Sequence, residues 1–496
     1  MTDAAINLAD YVVGQRLRQG RGNAVALVTP EGHVTYAQVW RHALSAAAVL
    51  RQRGLRTGDR VLLALPDGVD FVAVLFGTLA AGGVVVMMNP EATNVADVAA
   101  YVGARVVVDT QALPRWRHDV GQAVPLPHAQ AITADAHAFW LLTSGSTGDA
   151  KAAMHRHGDF IAHIEIYAKG VLGLTEHDRT MAVSKLHFPY ATGMNLLFPL
   201  AVGGSCVLYP QRAPAPELLA LAAKYQPTIF CTVPTMTARL LALPAQEQSA
   251  LAHVRLAVTA GEALPPDLLA KWQAQHAAPL LDGIGSAEMF HVYITNRPDD
   301  VRPACLGRVV PGYETRVVGE DGADVAPGDV GLLWVRGPSA GVGYHDDPAR
   351  TARVFLPGGW VVTGDMFRKT ADGYHHYEGR SDDLMKVAGL YVSPLEVEAV
   401  LRQHPAIKDC AVVAHADEHG LVKPRAFVVL EPPAVDDQAL FETLAAFARE
   451  HLLGYKVPRS WVSLPELPRN DRGKVLRRRL REDERDGARL HRMDLA

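Results

Sequence analysis

Four hydroxyls, two glycines and a lysine fall within nine residues, Thr143-Ser144-Gly145-Ser146-Thr147-Gly148-Asp149-Ala150-Lys151. Glycine lets a backbone approach a ligand closely, hydroxyls and successive N–H groups wrap phosphate oxygens, and Lys151 adds positive charge. An ordinary polar turn has a similar composition, but phosphate binding also accounts for the lysine. The apolar run Phe139 to Leu142 ahead of it reads as a buried strand that stops at Thr143. The loop is not of the Walker type, which needs G-x-x-x-x-G-K-[ST]. Gly145 and Gly148 are too close together, and Ala152 follows Lys151.

A chain of 496 residues exceeds the ~250–300 residues that one core usually supports, so at least two domains are expected. Hydrophobic residues at 49% and charged residues at 21% are those of a soluble globular enzyme. A net charge of −4 gives no case for nucleic acid or an anionic membrane as partner. The basic stretch Arg469 to Arg479 is followed by Glu482, Asp483 and Glu484 and reads as a solvated helix of mixed charge. Cys206, Cys231, Cys305 and Cys410 match neither a disulfide framework nor a zinc site. The first residues lack the basic and apolar regions of a signal peptide, so a cytosolic protein is expected. Phe71 to Met88 is uncharged over 18 residues. Gly82-Gly83 interrupts it, so a buried helix, a tight turn and a core strand are expected rather than a membrane span.

Val25–Val28 and Val34–Tyr36 flank a Pro30-Glu31-Gly32 turn, as in a hairpin, and Val39, Ala43, Ala46, Ala47 and Leu50 follow at helical spacing. From Cys206 the pattern alternates. Strand-like segments at 206–209, 229–233, 256–259 and 280–281 are separated by helical ones at 215–225, 234–243 and 265–275, which argues for βαβ units and a parallel sheet. Between 330 and 377 the segments shorten into a β-rich subdomain. A polar break at Gly379 to Asp383 precedes a compact α+β unit with a helix near 437–452. The expected fold is α/β: a large N-terminal domain of helix-covered sheets plus the β-rich subdomain (1–379), a hinge (380–383) and a small mobile α+β C-terminal domain (384–496).

The glycine-rich loop resembles the signature loop of the acyl-adenylate-forming superfamily, which includes acyl-CoA synthetases, firefly luciferases and nonribosomal-peptide adenylation domains. The resemblance runs through nearly the whole chain, with the motifs in family order. It implies that Thr143, Ser144, Gly145, Ser146, Thr147, Gly148 and Lys151 clamp the β- and γ-phosphates of ATP while an acid attacks the α-phosphate. Ala260-Gly261-Glu262 resembles the segment lining adenine. Asp282-Gly283-Ile284-Gly285-Ser286-Ala287-Glu288 resembles the next motif, whose start flanks adenine and whose acidic residue, Glu288, helps to hold Mg²⁺ on ATP. A hard cation held by one or two carboxylates plus substrate phosphates suits Mg²⁺. The chain departs from the family at Ala287, usually Thr, and at Ile284, commonly an aromatic.

Thr363-Gly364-Asp365 resembles the motif whose aspartate accepts from the ribose hydroxyls. Arg380 matches a second ribose contact and Asp382 the hinge residue; a surface ion pair is the plainer reading of Asp365 and Arg380. Pro468 to Lys474 resembles the segment carrying the catalytic lysine. An ammonium there stabilises negative charge building between carboxylate and α-phosphate. By the same resemblance the small domain then turns about Asp382, withdraws Lys474 and presents the segment around Gly389. That opens a path for the thiol of coenzyme A, and AMP leaves. Lys386 is left without a role.

Ser184 to Gly193 resembles the pocket segment of benzoate-CoA ligases, with Tyr190 where many members of the superfamily carry His. Glu288-Met289-Phe290-His291 resembles the same subgroup, in which the histidine lines the aryl pocket. Phe188, Pro189, Tyr190 and His291 are therefore expected to wall an aryl site, although aromatic residues most often simply pack a core. His187 is expected to be structural. The resemblance implies an ATP- and Mg²⁺-dependent ligase joining coenzyme A to a small aromatic acid, benzoate or a hydroxy- or amino-benzoate. Transfer to a carrier protein and a degenerate acyl-adenylate-binding protein stay open beside it.

Overall fold

The computed structural model describes residues 6–144, 150–387, 390–417, 420–469, 475–482 and 490–492. The chain divides into two units, the first made of Met1–Thr315 with Val335–Thr363 and the second of Arg316–Trp334 with Gly364–Ala496. The 380–383 segment thus lies inside the second unit.

Two sheets build the first unit. In one, Leu280–Gly285, Leu256–Ala260, Ile229–Thr232, Arg179–Ala182, Ser205–Val207 and Val25–Thr29 lie side by side and parallel. Antiparallel strands at its edges complete nine. The alternation from Cys206 onward forms the βαβ units expected of it, with helices Ala215–Tyr225, Pro234–Leu241 and Pro266–Gln275 between the strands. Tyr225, Trp272, Phe230 and Leu280 are among the side chains that close the core between sheet and helices. The Val25–Thr29 and Gly32–Thr35 hairpin pairs as predicted. Thr35 then caps helix Tyr36–Gln52 through a reciprocal bond with Gln38.

The second sheet holds His137–Ser144, Val84–Met87, Arg60–Ala64 and Ala104–Asp109 in parallel. Strands Ala150–Arg156 and Gly343–Tyr344 are added antiparallel. Phe71 to Met88 is buried helix Val69–Ala80, a turn and core strand Val84–Met87. Among the described residues no helix is long and apolar enough to cross a membrane. One expectation needs correcting. The strand before the glycine-rich loop does not stop at Thr143 but runs through Ser144, because Ala150–Arg156 returns beside it and supplies ladder partners, Lys151 to Thr143 and Ala150 to Ser144.

In the second unit, Ile407–Ala416, Val422–Leu430, Ser460–Ser463 and Leu490–Arg492 form a four-stranded sheet. Helices Pro394–Leu401 and Gln438–His451 lay Val397, Leu401, Phe441 and Leu444 onto the same core as Trp461. The β-rich stretch ends in strand His375–Arg380, antiparallel to the end of Trp360–Lys369. The basic stretch near the carboxyl end is less solvated than its sequence suggests. Arg477, on helix Arg477–Glu482, is sunk against the buried Glu398 at 3.1 Å.

Candidate active site

Three side chains from separate elements of the first unit meet at one point. Lys151 comes from strand Ala150–Arg156, Glu288 from the turn of helix Ala287–Met289, and Tyr344 from strand Gly343–Tyr344. Lys151 Nζ donates to Glu288 Oε1 at 3.0 Å and to Tyr344 Oη at 2.9 Å. The Tyr344 hydroxyl donates to the same Glu288 oxygen at 2.5 Å, and the ammonium lies 4.5 Å from the Tyr344 ring centroid. Strand Ala150–Arg156 makes this possible by pairing on both edges, with His137–Ser144 and with Gly343–Tyr344. Burial alone would push the Glu288 carboxyl up, but the Lys151 charge and the Tyr344 hydroxyl outweigh it and hold the group below its ordinary value.

Side-chain exposures of 20% for Lys151 and 14% for Glu288 leave both groups reachable. An ionised carboxylate beside an ammonium can receive a cation and an anionic oxygen at adjacent points. Among the described residues no group of three or more His, Cys, Asp or Glu could hold a metal. A cation at Glu288 would therefore take its other ligands from phosphate and water, which is how Mg²⁺ is ordinarily held. The residues fit that ion.

Immediately after Glu288 the backbone turns sharply. Phe290 has φ +65° and ψ −55°, and the His291 N–H donates to the Met289 carbonyl at 2.8 Å. This is a γ-turn on a non-glycine residue, a strained conformation costing about 1–3 kcal/mol. Packing holds it in place. The Phe290 ring sits 4.2 Å from Phe160, centroid to centroid, and a buried hydrogen-bond chain grips the Met289 carbonyl. Ser339 donates to that carbonyl at 2.7 Å, so its hydroxyl must accept from Tyr313 at 2.5 Å. Tyr313 Oη in turn accepts from His163 Nδ1 at 2.7 Å. The turn separates Glu288 from His291 and sends them to different surroundings.

His291 enters an aromatic cluster. Its ring lies 5.5 Å from Tyr190 at 24° between planes, 4.9 Å from Phe198 and 5.3 Å from His163. Its Nε2 donates to the Tyr190 carbonyl at 3.1 Å, the only direction open to a bond with a carbonyl. Burial pushes the imidazole down to about 4, so the ring is neutral. The approach is close enough that a Cβ on Gly193 would stand 2.6 Å from His291 Cδ2, which excludes any larger residue there. Tyr190 donates its hydroxyl to the Val258 carbonyl at 3.0 Å. Pro189 opens the short helix Pro189–Thr192 and Phe188 precedes it, packed 4.1 Å from the ring of His187.

The segments predicted to flank adenine lie at the ends of parallel strands Leu256–Ala260 and Leu280–Gly285. Crevices at such strand ends are where open α/β sheets bind ligands. Gly261 turns with φ +92°, and Glu262 accepts from the Thr235 hydroxyl at 2.6 Å. Ile284 pairs with Ile294 across the sheet. Asp282 is buried and accepts from the Gly283 N–H at 2.9 Å. Burial pushes its carboxyl up to about 8, opposed by the N–H groups of Gly283 and Leu264. A carboxyl raised above its unfolded value of 3.8 stabilises the fold fully below that pH and loses the contribution as pH rises through about 8. Thermal melts between pH 6 and 9 should therefore show the melting temperature of the native chain falling. Asp282→Asn, neutral throughout, should lack that fall and melt a few degrees higher at pH 9. Parallel curves would show that Asp282 is ionised in the fold.

In the second unit Arg380 donates to the carboxylate of Asp365 at 3.2 Å. Asp365 is buried, so this is not the loose surface pair that the plainer reading of the sequence allowed. Asp382 lies in the turn after strand His375–Arg380, its carbonyl accepting from Arg481 at 2.7 Å. Lys386 donates to Glu320 at 2.9 Å. Gly145, Ser146, Thr147, Gly148, Gly389 and Lys474 lie outside the described residues, as does the side chain of Ser144.

Residues 15–345 match the family of AMP-binding enzymes, and residues 396–474 match the AMP-binding enzyme C-terminal domain. The chain belongs to the AMP-binding enzyme family. It is 37% identical to a benzoate–CoA ligase of Thauera aromatica, over 96% of this chain and 95% of that protein. A p-hydroxybenzoic acid–AMP ligase, FadD22, of Mycobacterium tuberculosis (strain CDC 1551 / Oshkosh) is 36% identical over 90% of this chain and 65% of its own length. Among solved structures, the anthranilate CoA ligase AuaEII in complex with anthranoyl-AMP superimposes with a TM-score of 0.89 at 34% identity, covering 97% of this chain and 98% of that one.

In this AMP-binding enzyme the sequence led to Lys151 and Glu288, and to Tyr190 and His291, as separate motifs; the fold brings each pair into contact. It did not lead to Tyr344 or His163. Tyr344 stands 193 positions from Lys151, and no local spacing marks it.

Proposed function

We propose that this chain is an AMP-forming aryl-acid ligase that joins benzoate, or a hydroxy- or amino-benzoate, to coenzyme A through an aryl-adenylate. The observation that carries the reading is the γ-turn at Phe290, which sets a charged pair suited to phosphate and cation on one side and an aromatic cluster on the other. Similarity to benzoate- and anthranilate-CoA ligases supports it.

In this reading the carboxylate oxygen of the acid attacks the α-phosphorus of ATP and pyrophosphate leaves. The hydroxyl loop from Thr143 to Gly148 and Lys151 hold the β- and γ-phosphates, with Lys151 exchanging Glu288 for a phosphate oxygen. Glu288 would hold Mg²⁺, which when bound would neutralise phosphate charge. Tyr344 keeps the carboxylate oriented through its hydrogen bond. Gly261, Glu262, Asp282, Gly283 and Ile284 border adenine, while Asp365 and Arg380 take the ribose hydroxyls. Phe188, Pro189, Tyr190 and His291 bound the ring. Lys474 stabilises the charge that develops between carboxylate and α-phosphate. In the second half-reaction a thiolate attacks the acyl carbon and AMP leaves as a thioester forms; Asp382 is the hinge between the two steps and Gly389 borders the path of the thiol. Four free cysteines, all buried, suit a reducing compartment such as the cytosol.

A second reading changes only the acceptor. The mycobacterial relative is named for an AMP ligase, and a carrier-protein thiol could take the place of coenzyme A. The test is incubation with ATP, Mg²⁺ and benzoate, 2-amino-, 2-, 3- and 4-hydroxybenzoate, cinnamate or hexanoate, with and without CoA, read by mass spectrometry. Aryl-CoA is the expected product. Aryl-AMP that does not pass to CoA would assign the carrier-protein acceptor, and no adenylate from any acid would sink both readings.

A further inference from the structure

Two buried side chains of opposite charge, which influence each other without a direct ion pair, are used by none of the chemistry above. Asp67 follows strand Arg60–Ala64 of one sheet, and Lys185 follows strand Arg179–Ala182 of the other. Both residues are only 7% exposed. Lys185 Nζ donates to the carbonyl of Tyr209, just past strand Ser205–Val207, at 2.8 Å, and lies 3.5 Å from that ring centroid. Asp67 Oδ1 accepts from the N–H of Leu186 at 3.0 Å. The pair therefore stands where the carboxyl ends of the two sheets come together, the side of an α/β sheet that binds ligands.

What these residues hold is the segment that walls the aryl site. Leu186 is fixed at both ends, its N–H by Asp67 and its carbonyl by the Thr192 hydroxyl at 2.5 Å. Thr192 also reaches the Phe188 carbonyl at 3.1 Å, and the Phe188 N–H donates to the Lys185 carbonyl at 3.0 Å. Tyr190 follows, with His291 on its own carbonyl. A displacement at Leu186 would be carried through these bonds to Tyr190. Burial pushes the Asp67 carboxyl up and the Lys185 ammonium down, and each charge opposes the shift of the other. The Leu186 N–H bonded to the carboxylate and the Lys185 charge buried near it both oppose the cost of burying Asp67.

We infer that Asp67 is a positioning residue for the aromatic acid, setting where the segment Leu186 to Tyr190 leaves the sheet through its bond to Leu186, and that Lys185 is the counter-charge that lets it do so. The inference rests on the aryl-ligase reading.

It is tested by steady-state pyrophosphate release from the full-length enzyme, with KM taken separately for the aryl acid and for ATP. Asp67→Ala removes the acceptor and should raise the acid KM by about tenfold or more while the ATP KM stays within about twofold. Asp67→Asn/Lys185→Met keeps an acceptor for Leu186 and leaves no lone buried charge, so its acid KM should return to within about threefold of the native value. The neutral double variant also serves if the alanine variant does not fold: an acid KM raised more than about tenfold in it overturns the inference. Equal shifts in both KM values, or none, would show a merely structural pair. A native enzyme that releases pyrophosphate with no aryl acid would defeat the functional reading, whereas an active native enzyme with an unshifted Asp67→Ala defeats this inference alone.

Discussion

Glu288→Gln is expected to lower the rate of aryl-adenylate formation by about 10²–10³-fold, because it weakens the hold on a cation that would stabilise negative charge at the transition state. The substitution preserves shape, and its amide oxygen can still accept from Tyr344 and Lys151, now at 2.5 Å and 3.0 Å from the carboxylate. What it removes is the negative charge that the Lys151 ammonium and the Tyr344 hydroxyl hold ionised against burial. Two consequences follow in opposite directions. Lys151 loses the competitor that must yield before phosphate binds, so ATP affinity without divalent cation should rise or stay level. A cation held there would lose the one carboxylate that the described residues bring to this cluster, so the Mg²⁺ concentration for half-maximal rate should climb by about tenfold or more. Pyrophosphate exchange across a Mg²⁺ titration separates the two. If rate and Mg²⁺ dependence are both unchanged, Glu288 is only a structural partner of Lys151.

The difference between what was legible in the chain and what was not follows from the range of the interactions involved. The βαβ alternation from Cys206 and the buried helix, turn and strand of Phe71 to Met88 were readable because helix and strand periods are local. The extent of the strand before the glycine-rich loop was misread. Thr143 and Ser144 look like loop residues by type, and only a returning strand makes them ladder partners. The solvated reading of the basic stretch failed at Arg477 for a similar reason, since its partner Glu398 lies 79 positions away. Lys151 and Glu288 were found through motifs, yet their shared partner Tyr344 was not. A hydrogen bond between residues on separate elements leaves no periodic trace in sequence. Asp67 and Lys185 were hidden twice over, being charged residues at strand ends, where charge is ordinarily solvated.

Lys474→Ala is expected to slow adenylation by about 10²–10³-fold while leaving nucleotide binding nearly intact. Attack of a carboxylate on the α-phosphorus brings two anions together, so negative charge rises toward the transition state. An ammonium placed there is worth more at the transition state than in the ground state, and its loss appears in kcat rather than in KM. The described residues on either side of the segment are tied to each other and to the sheet: Arg469 pairs antiparallel with Val475, the Leu476 N–H donates to the Pro468 carbonyl at 2.8 Å, and Arg469 is anchored to Asp409 at 2.6 Å. Thioester formation should respond differently, because no phosphate is attacked in that step. Given synthetic aryl-AMP and CoA, the variant should form aryl-CoA at a rate within a few-fold of the native enzyme. Single-turnover assays of the two half-reactions make the comparison. Equal losses in both would mean that Lys474 acts on the fold of its segment, and no loss in the first would remove it from the chemistry. A loss confined to adenylation is the one pattern that a charge acting on the α-phosphate alone can produce.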